Sequence, residues 1–166
     1  MSRRDQIVMS PEELRAFLDE EHTLTCASIG PNGRPHLMPL WYVREGDFIA
    51  CWTYGSSQKV KNLERLPQAT LQVEAGERYE ELRWAMLECD VEIVRDRERL
   101  LDIGEALAYR YGHVPAGTPR ELVRAGAEKR GAKRVGLRFR PTRIVSWDHR
   151  KLGGGHYGIS QPTLGN

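Results

Sequence analysis

The feature that most constrains this chain is a succession of short β-forming runs, each ended within a few residues by a tight-turn signal. Residues 23–29 are small and β-branched. Gly30-Pro31-Asn32-Gly33 follows, and residues 36–43 return, which is the pattern of a hairpin. Glu45-Gly46-Asp47 turns the chain again into a third run, 48–53. Further runs cover residues 69–74, 82–94, 135–139 and 143–147. In the longest of them Trp84, Met86, Glu88, Asp90 and Glu92 share one side. Many short antiparallel strands with tight turns point to a barrel.

Helical signals lie between these runs. Ser10-Pro11-Glu12-Glu13 combines an N-cap, a first-turn proline and a capping-box glutamate, and Leu14, Phe17 and Leu18 supply the apolar stripe. Ser56 or Ser57 can cap a short helix that runs to about Arg65 and that Pro67 ends. Leu100, Ile103, Leu107 and Tyr111 recur at helical spacing over 97–111. A loop over 115–119 then leads to a helix over about 120–129. The expected fold is mainly β with α (α+β), a split β-barrel of about six antiparallel strands with flanking helices. One domain is expected over 1–152, with a loosely held Gly-rich tail over 153–166. A chain of 166 residues buries roughly two thirds of its unfolded surface, enough for a core without metal or disulfide.

Several function classes fall away. The formal net charge is only +2, and no nucleic-acid module is visible. No GxGxxG, Walker A or GxSxG pattern occurs. The histidines His22, His36, His113, His149 and His156 are scattered without ligand spacing, so no metal is expected. Cys26, Cys51 and Cys89 each sit in an apolar run and read as buried free thiols. Residues 1–8 are charged and lack a long apolar segment; no secretory signal or membrane span is expected, and the expected compartment is the cytoplasm.

Three segments remain as candidate sites. In Ser56-Ser57-Gln58-Lys59-Val60-Lys61-Asn62-Leu63, hydroxyls, ammonium groups and free N–H groups converge at a helix start, as a phosphate requires. The competing reading is a solvated basic helix. In His36-Leu37-Met38-Pro39-Leu40-Trp41-Tyr42, Pro39 interrupts an apolar run and marks an edge or bulge against which a flat ligand could lie. The competing reading is an ordinary edge strand. In Ser146-Trp147-Asp148-His149-Arg150-Lys151-Leu152, Trp147 offers a stacking surface beside cations, or else a surface turn covers the barrel end. No nucleophile stands out, which suits a cofactor that carries its own reactivity.

Together these segments resemble the pyridoxamine 5′-phosphate oxidase-like superfamily, and within it the flavin/deazaflavin oxidoreductases of the B type. The resemblance covers about residues 10–152 and rests on four stretches. They are Ala27-Ser28-Ile29-Gly30-Pro31-Asn32-Gly33-Arg34-Pro35-His36, Pro39-Leu40-Trp41, Ser57-Gln58-Lys59-Val60-Lys61-Asn62-Leu63 and Pro67-Gln68-Ala69-Thr70-Leu71. It implies a six-stranded split barrel that forms a homodimer with cofactor sites in grooves between subunits. Leu37, Met38, Pro39, Leu40 and Trp41 would pack against the cofactor ring. Thr53, Ser57, Lys59, Val60, Lys61 and Asn62 match the segment that holds its phosphate. Trp147 and Lys151 are similar to residues that reach the cofactor from the partner chain. The Arg-rich signature of the pyridoxamine phosphate oxidases proper survives only approximately, which argues against vitamin B6 oxidation. The lysine pair resembles members that bind coenzyme F420, with FMN as the alternative. The implied activity is hydride transfer to a small unsaturated or aromatic substrate, with Trp41, Trp52 and Trp147 as candidate substrate walls. The alternative outside catalysis is a protein that binds a cofactor or tetrapyrrole without turnover.

Overall fold

The structure is a computed structural model; it describes residues 3–112 and 114–152. The tail expected over 153–166 lies outside the described residues. Seven antiparallel strands form one sheet in the order β2-β1-β5-β6-β7-β4-β3. They are β1 Leu24–Ile29, β2 Pro35–Leu40, β3 Val43–Glu45, β4 Phe48–Tyr54, β5 Gln68–Ala75, β6 Arg83–Val94 and β7 Arg134–Asp148. The helices are α1 Arg3–Ile7, α2 Pro11–Glu20, α3 Gln58–Arg65, α4 Arg97–Tyr111 and α5 Arg120–Gly131. Among the described residues no helix is long and apolar enough to cross a membrane.

The two edge strands, β2 and β3, are separated in the chain only by Trp41 and Tyr42. The sheet must therefore curl until its edges meet, but no ladder joins them, and this is the split of the barrel. The single run expected over 36–43 is broken here. Tyr42 turns fully inward and its hydroxyl donates to the Leu18 carbonyl at 2.7 Å. The backbone groups that a ladder would have paired go to Tyr111 at the end of α4. Its hydroxyl accepts from the Tyr42 N–H at 3.1 Å and donates to the Tyr42 carbonyl at 2.6 Å. The Trp41 ring stacks on the Tyr111 ring, 4.7 Å apart and inclined by 3°.

Inside the curl, alternate residues of five strands meet, among them Cys26, Cys51, Leu71, Leu87 and Phe139. Burial pushes the thiols of Cys26 and Cys89 up to about 12 and that of Cys51 well above its ordinary value, so all three pack as inert hydrophobes. The last two expected strands, 135–139 and 143–147, are one strand. At Pro141 the ladder slips by one residue, so that Glu88 faces Arg143 while Cys89 faces Pro141. The bulge tolerates a proline that a regular central ladder would not. The capping box of α2 is present in full, whereas Ser57 occupies the N-cap of α3 without making a side-chain cap bond.

A second, smaller core lies on the outer face of the sheet, where Ala50 and Val94 pack against Ile103 and Leu107 of α4. Ion pairs clamp α5 onto α4. The buried carboxylate of Glu105 accepts from Arg120 Nε at 2.5 Å and from Arg124 Nη1 at 3.1 Å, while Arg124 also reaches Asp102 and Glu98. Trp52 presses on α4 where Gly104 leaves room: a Cβ there would stand 2.5 Å from Trp52 Cζ3.

Two outcomes follow from this packing. Gly104→Ala is expected to cost about 1 kcal/mol net, because overpacking of about 1–3 kcal/mol exceeds the helix-propensity gain of about 1 kcal/mol. Gly126→Ala on α5 meets only ordinary contacts at 3.5 Å and should stabilise. Urea unfolding of the two variants should give opposite signs. The hydrogen bond from Arg120, followed by that from Arg124, holds Glu105 below its ordinary value of 4.5. A depressed folded value means stability that is complete above the unfolded pKa of roughly 4.3 and is lost as pH falls through the lowered value. Melting temperature should therefore drop below about pH 4.5, and Glu105→Gln should flatten that acid limb.

Candidate cofactor and substrate site

The strand–helix connection from β4 into α3 builds the candidate site. Thr53 faces the interior side of β4, and α3 begins five residues later, which aims its first turn back at that strand. Lys59 is only 6% exposed, and its ammonium donates to Thr53 Oγ1 at 3.0 Å. Among the described residues the only lysine in an ion pair is Lys151, so the buried Lys59 ammonium has no carboxylate against it. Two residues earlier, at the N-cap of α3, the Ser57 hydroxyl is buried and makes no hydrogen bond. Burying a charge without a counter-ion is costly. A buried ammonium, an unsatisfied hydroxyl and the first turn of an eight-residue helix are the donor set a phosphate group needs, and they fit one.

The other members of this segment have different positions. Lys61 is exposed on the same turn. Asn62 is buried and spent on structure: its Nδ2 donates to Ser28 Oγ at 3.1 Å and its Oδ1 accepts from Gln58 at 2.9 Å, which ties α3 to β1. Val60 is fully buried in the core, so its side chain packs and offers nothing to a ligand. Leu37 and Met38 lie on the exposed edge strand, at 59% and 37% exposure. Pro39, Leu40, Trp41 and Thr53 converge on a cavity of about 880 Å³ between the sheet and the α4–α5 pair. Trp52 lines it as well, from the outer face of β4.

Trp147 and Lys151 are not brought to this place within the chain. Thr53 pairs with Val135 at one end of β7, and Trp147 pairs with Trp84 near the other. The two positions are separated by about 40 Å of strand at ~3.3 Å per residue. Trp147 is stacked between Trp84 at 5.1 Å and His149 at 5.0 Å. Lys151 Nζ donates to the Val8 carbonyl at 2.7 Å and is ion-paired with Glu13, the capping-box residue of α2.

Sequence reasoning missed three contributors. Tyr111 reads as one more apolar stripe residue, yet its hydroxyl and ring close the cavity mouth. Arg130 and Arg134 line the cavity but look like a solvated basic helix end. Nothing in their spacing separates them from the arginines of α5 that pair with carboxylates, Arg120 and Arg124.

Comparison with known proteins places these features in a family. The model of the pyridoxamine 5′-phosphate oxidase family matches residues 10–148. No curated protein matches the chain. Among solved structures, the conserved hypothetical protein Rv2991 from Mycobacterium tuberculosis is 36% identical, with a TM-score of 0.83 over 98% of this chain and 99% of that one. A structure described as an F420 reductase is 22% identical, with a TM-score of 0.60 over 81% of this chain and 98% of its own. An FAD-binding protein from Mycobacterium smegmatis is 14% identical, with a TM-score of 0.59 over 85% and 98%. At these two lower identities the likeness is one of fold. With the family model spanning most of the chain, and the split sheet and the β4–α3 connection built as described, the chain belongs to the pyridoxamine 5′-phosphate oxidase family.

Proposed function

We propose that this chain is a homodimeric oxidoreductase that binds coenzyme F420 and reduces a small unsaturated or aromatic substrate. The observation that carries the reading is the buried, carboxylate-free ammonium of Lys59 in the same first turn of α3 that the unsatisfied hydroxyl of Ser57 opens. Stability alone does not favour such a group, so its presence argues for an anion that arrives with a ligand. Lys61 on the exposed side of the same turn adds positive charge suited to a cofactor with a phosphate and an acidic tail.

The bound deazaflavin would supply hydride chemistry, and the protein's residues hold and shield it. Ser57, Lys59 and Lys61 would take the phosphate. Pro39, Leu40 and Trp41 would present an apolar wall with no titratable group, which keeps water from the reacting face. Trp52 and the Trp41–Tyr111 pair would bracket the substrate in the adjoining cavity. Val60 and Asn62 act indirectly here, fixing α3 against the core and β1.

Two features support the dimer. The strand β2 is exposed on both faces, and Leu37 and Trp41 stand 59% and 60% exposed on and beside it. Large apolar groups grouped in this way favour a covering partner. Trp147 and Lys151 sit at the far end of β7, so they could reach a cofactor on Lys59 only from a second copy.

The test is a titration of the purified protein with F420 and, separately, with FMN. F420 binding with weak FMN binding is the expected result. FMN alone would move the protein to a flavin oxidoreductase of the same fold, since the phosphate cluster serves either. Binding of neither would leave a ligand-binding protein. Lys59→Met should weaken cofactor affinity about 10–100-fold, the worth of a charge-assisted bond of roughly 1.5–3 kcal/mol. The same variant should melt at or above the wild-type temperature without cofactor, because an apolar stem replaces an uncompensated buried charge. A large drop in melting temperature would make Lys59 a structural residue.

A further inference from the structure

The cavity beneath α4 and α5 has a charge pattern that phosphate binding does not use. Its body is apolar, with Trp52, Leu107 and Val123 along it and the stacked Trp41–Tyr111 pair at its mouth. Among the described residues no aspartate, glutamate, lysine or histidine lines it, and the charged residues of its lining are Arg130 and Arg134. Arg134 Cζ lies 4.8 Å from the Trp52 ring centroid and 4.6 Å from that of Tyr54, and its Nε donates to the Arg130 carbonyl at 3.2 Å. Held between two rings, the guanidinium is oriented before any ligand arrives. Arg130 folds back over Gly126, where a Cβ would stand 3.5 Å from both of its Nη atoms.

Neither arginine has an ion-pair partner among the described residues, whereas Arg97, Arg120 and Arg124 on the same two helices are all paired with carboxylates. Two guanidinium groups without a counter-ion, lining one apolar slot, are complementary to one kind of molecule. We infer that the cavity takes a planar, apolar ligand bearing a carboxylate, with the carboxylate on Arg134 and Arg130 and the rings between Trp52 and the Trp41–Tyr111 pair. This deepens the proposed function by naming the substrate class, and as a substrate assignment it rests on that reading. The anchoring arginines fix which end of the ligand faces Pro39 and Leu40.

The probe pair is 2-naphthoate and its neutral counterpart 2-naphthalenemethanol, titrated by calorimetry into the full chain without added cofactor. Naphthoate is expected to bind about 10-fold or more tighter, in line with a charge-assisted bidentate contact. Arg134→Gln should bring naphthoate down to the affinity of the alcohol while leaving the alcohol unchanged, which also reports that the cavity is intact. Arg134→Lys should retain part of the preference, since charge is kept and the fork is lost. Equal affinity of the two probes, binding of neither, or a preference that survives Arg134→Gln would overturn the inference. A parallel F420 titration separates the two proposals. Unchanged F420 affinity in Arg134→Gln is expected, and its loss would assign the arginines to the cofactor and overturn the substrate class. A wild-type protein that prefers naphthoate but binds neither F420 nor FMN would sink the cofactor reading alone.

Discussion

One hydroxyl does the work of an absent β-ladder. The curl of the sheet brings β2 and β3 together, yet Trp41 and Tyr42 cross the gap without strand pairing. Left alone, the N–H and carbonyl of Tyr42 would be desolvated and unsatisfied, at a cost of about 1–3 kcal/mol per group. Tyr111 satisfies both at once. The neighbouring Arg110 extends the joint, donating to the carbonyls of Leu18, Asp19 and Glu21 at the end of α2, where the helix dipole favours a cation. The last turn of α4 thus joins the split, α2 and the cavity mouth. With α4 held there, Trp52 has a helix to pack against and α5 has a surface on which to be clamped.

The charges of the molecule divide by whether they have partners. Most arginines on the strands and outer helices are matched with carboxylates, such as Arg140 with Asp90 and Arg143 with Glu88. Exposed pairs of this kind contribute little individually. Among the cations without a carboxylate partner, Lys59 lies against Thr53 of β4, and Arg130 and Arg134 line the cavity beyond its outer face. Thr53 and Trp52, adjacent in β4, hold different cations: Thr53 accepts from the Lys59 ammonium, and the Trp52 ring lies against the Arg134 guanidinium. A cofactor phosphate and a substrate carboxylate make different demands, and a single strand with its two-residue period can serve both.

Much of this architecture was legible in the chain because turn chemistry is local. The hairpin at Gly30–Gly33, the capping box at Ser10 and the alternation through β6 depend on neighbours a few residues away, and all three hold. What was not legible depends on distant partners. Pro39 marks the run over 36–43 as irregular, but nothing in it places the break at Trp41, since the residue that makes it possible is Tyr111. Pro141 reads as a strand terminator, but a bulge against Cys89 absorbs it and β7 continues. The Ser57–Asn62 segment was recognisable as a donor cluster, although its members divide into ligand-facing, packing and helix-anchoring positions only once α3 is laid on β1 and β4. Arg130 and Arg134 line the cavity without a carboxylate partner among the described residues, and a pairing pattern in space has no signature in sequence.

The placement of β4 has a consequence for how the protein comes into being. Its neighbours in the sheet are β3, made just before it, and β7, where Tyr54 meets Arg134. While a ribosome is still translating the residues between them, the β3–β4 hairpin has no sheet to join, and Ile49 and Cys51 have no interior to enter. Such a nascent chain exposes an unpaired edge and apolar surface for the whole of that interval, which makes it a substrate for holding chaperones. A chain that ends anywhere before β7 lacks the strand that joins β4 to β6, and its interior stays open. The last strand to emerge is therefore a checkpoint on the synthesis of everything before it.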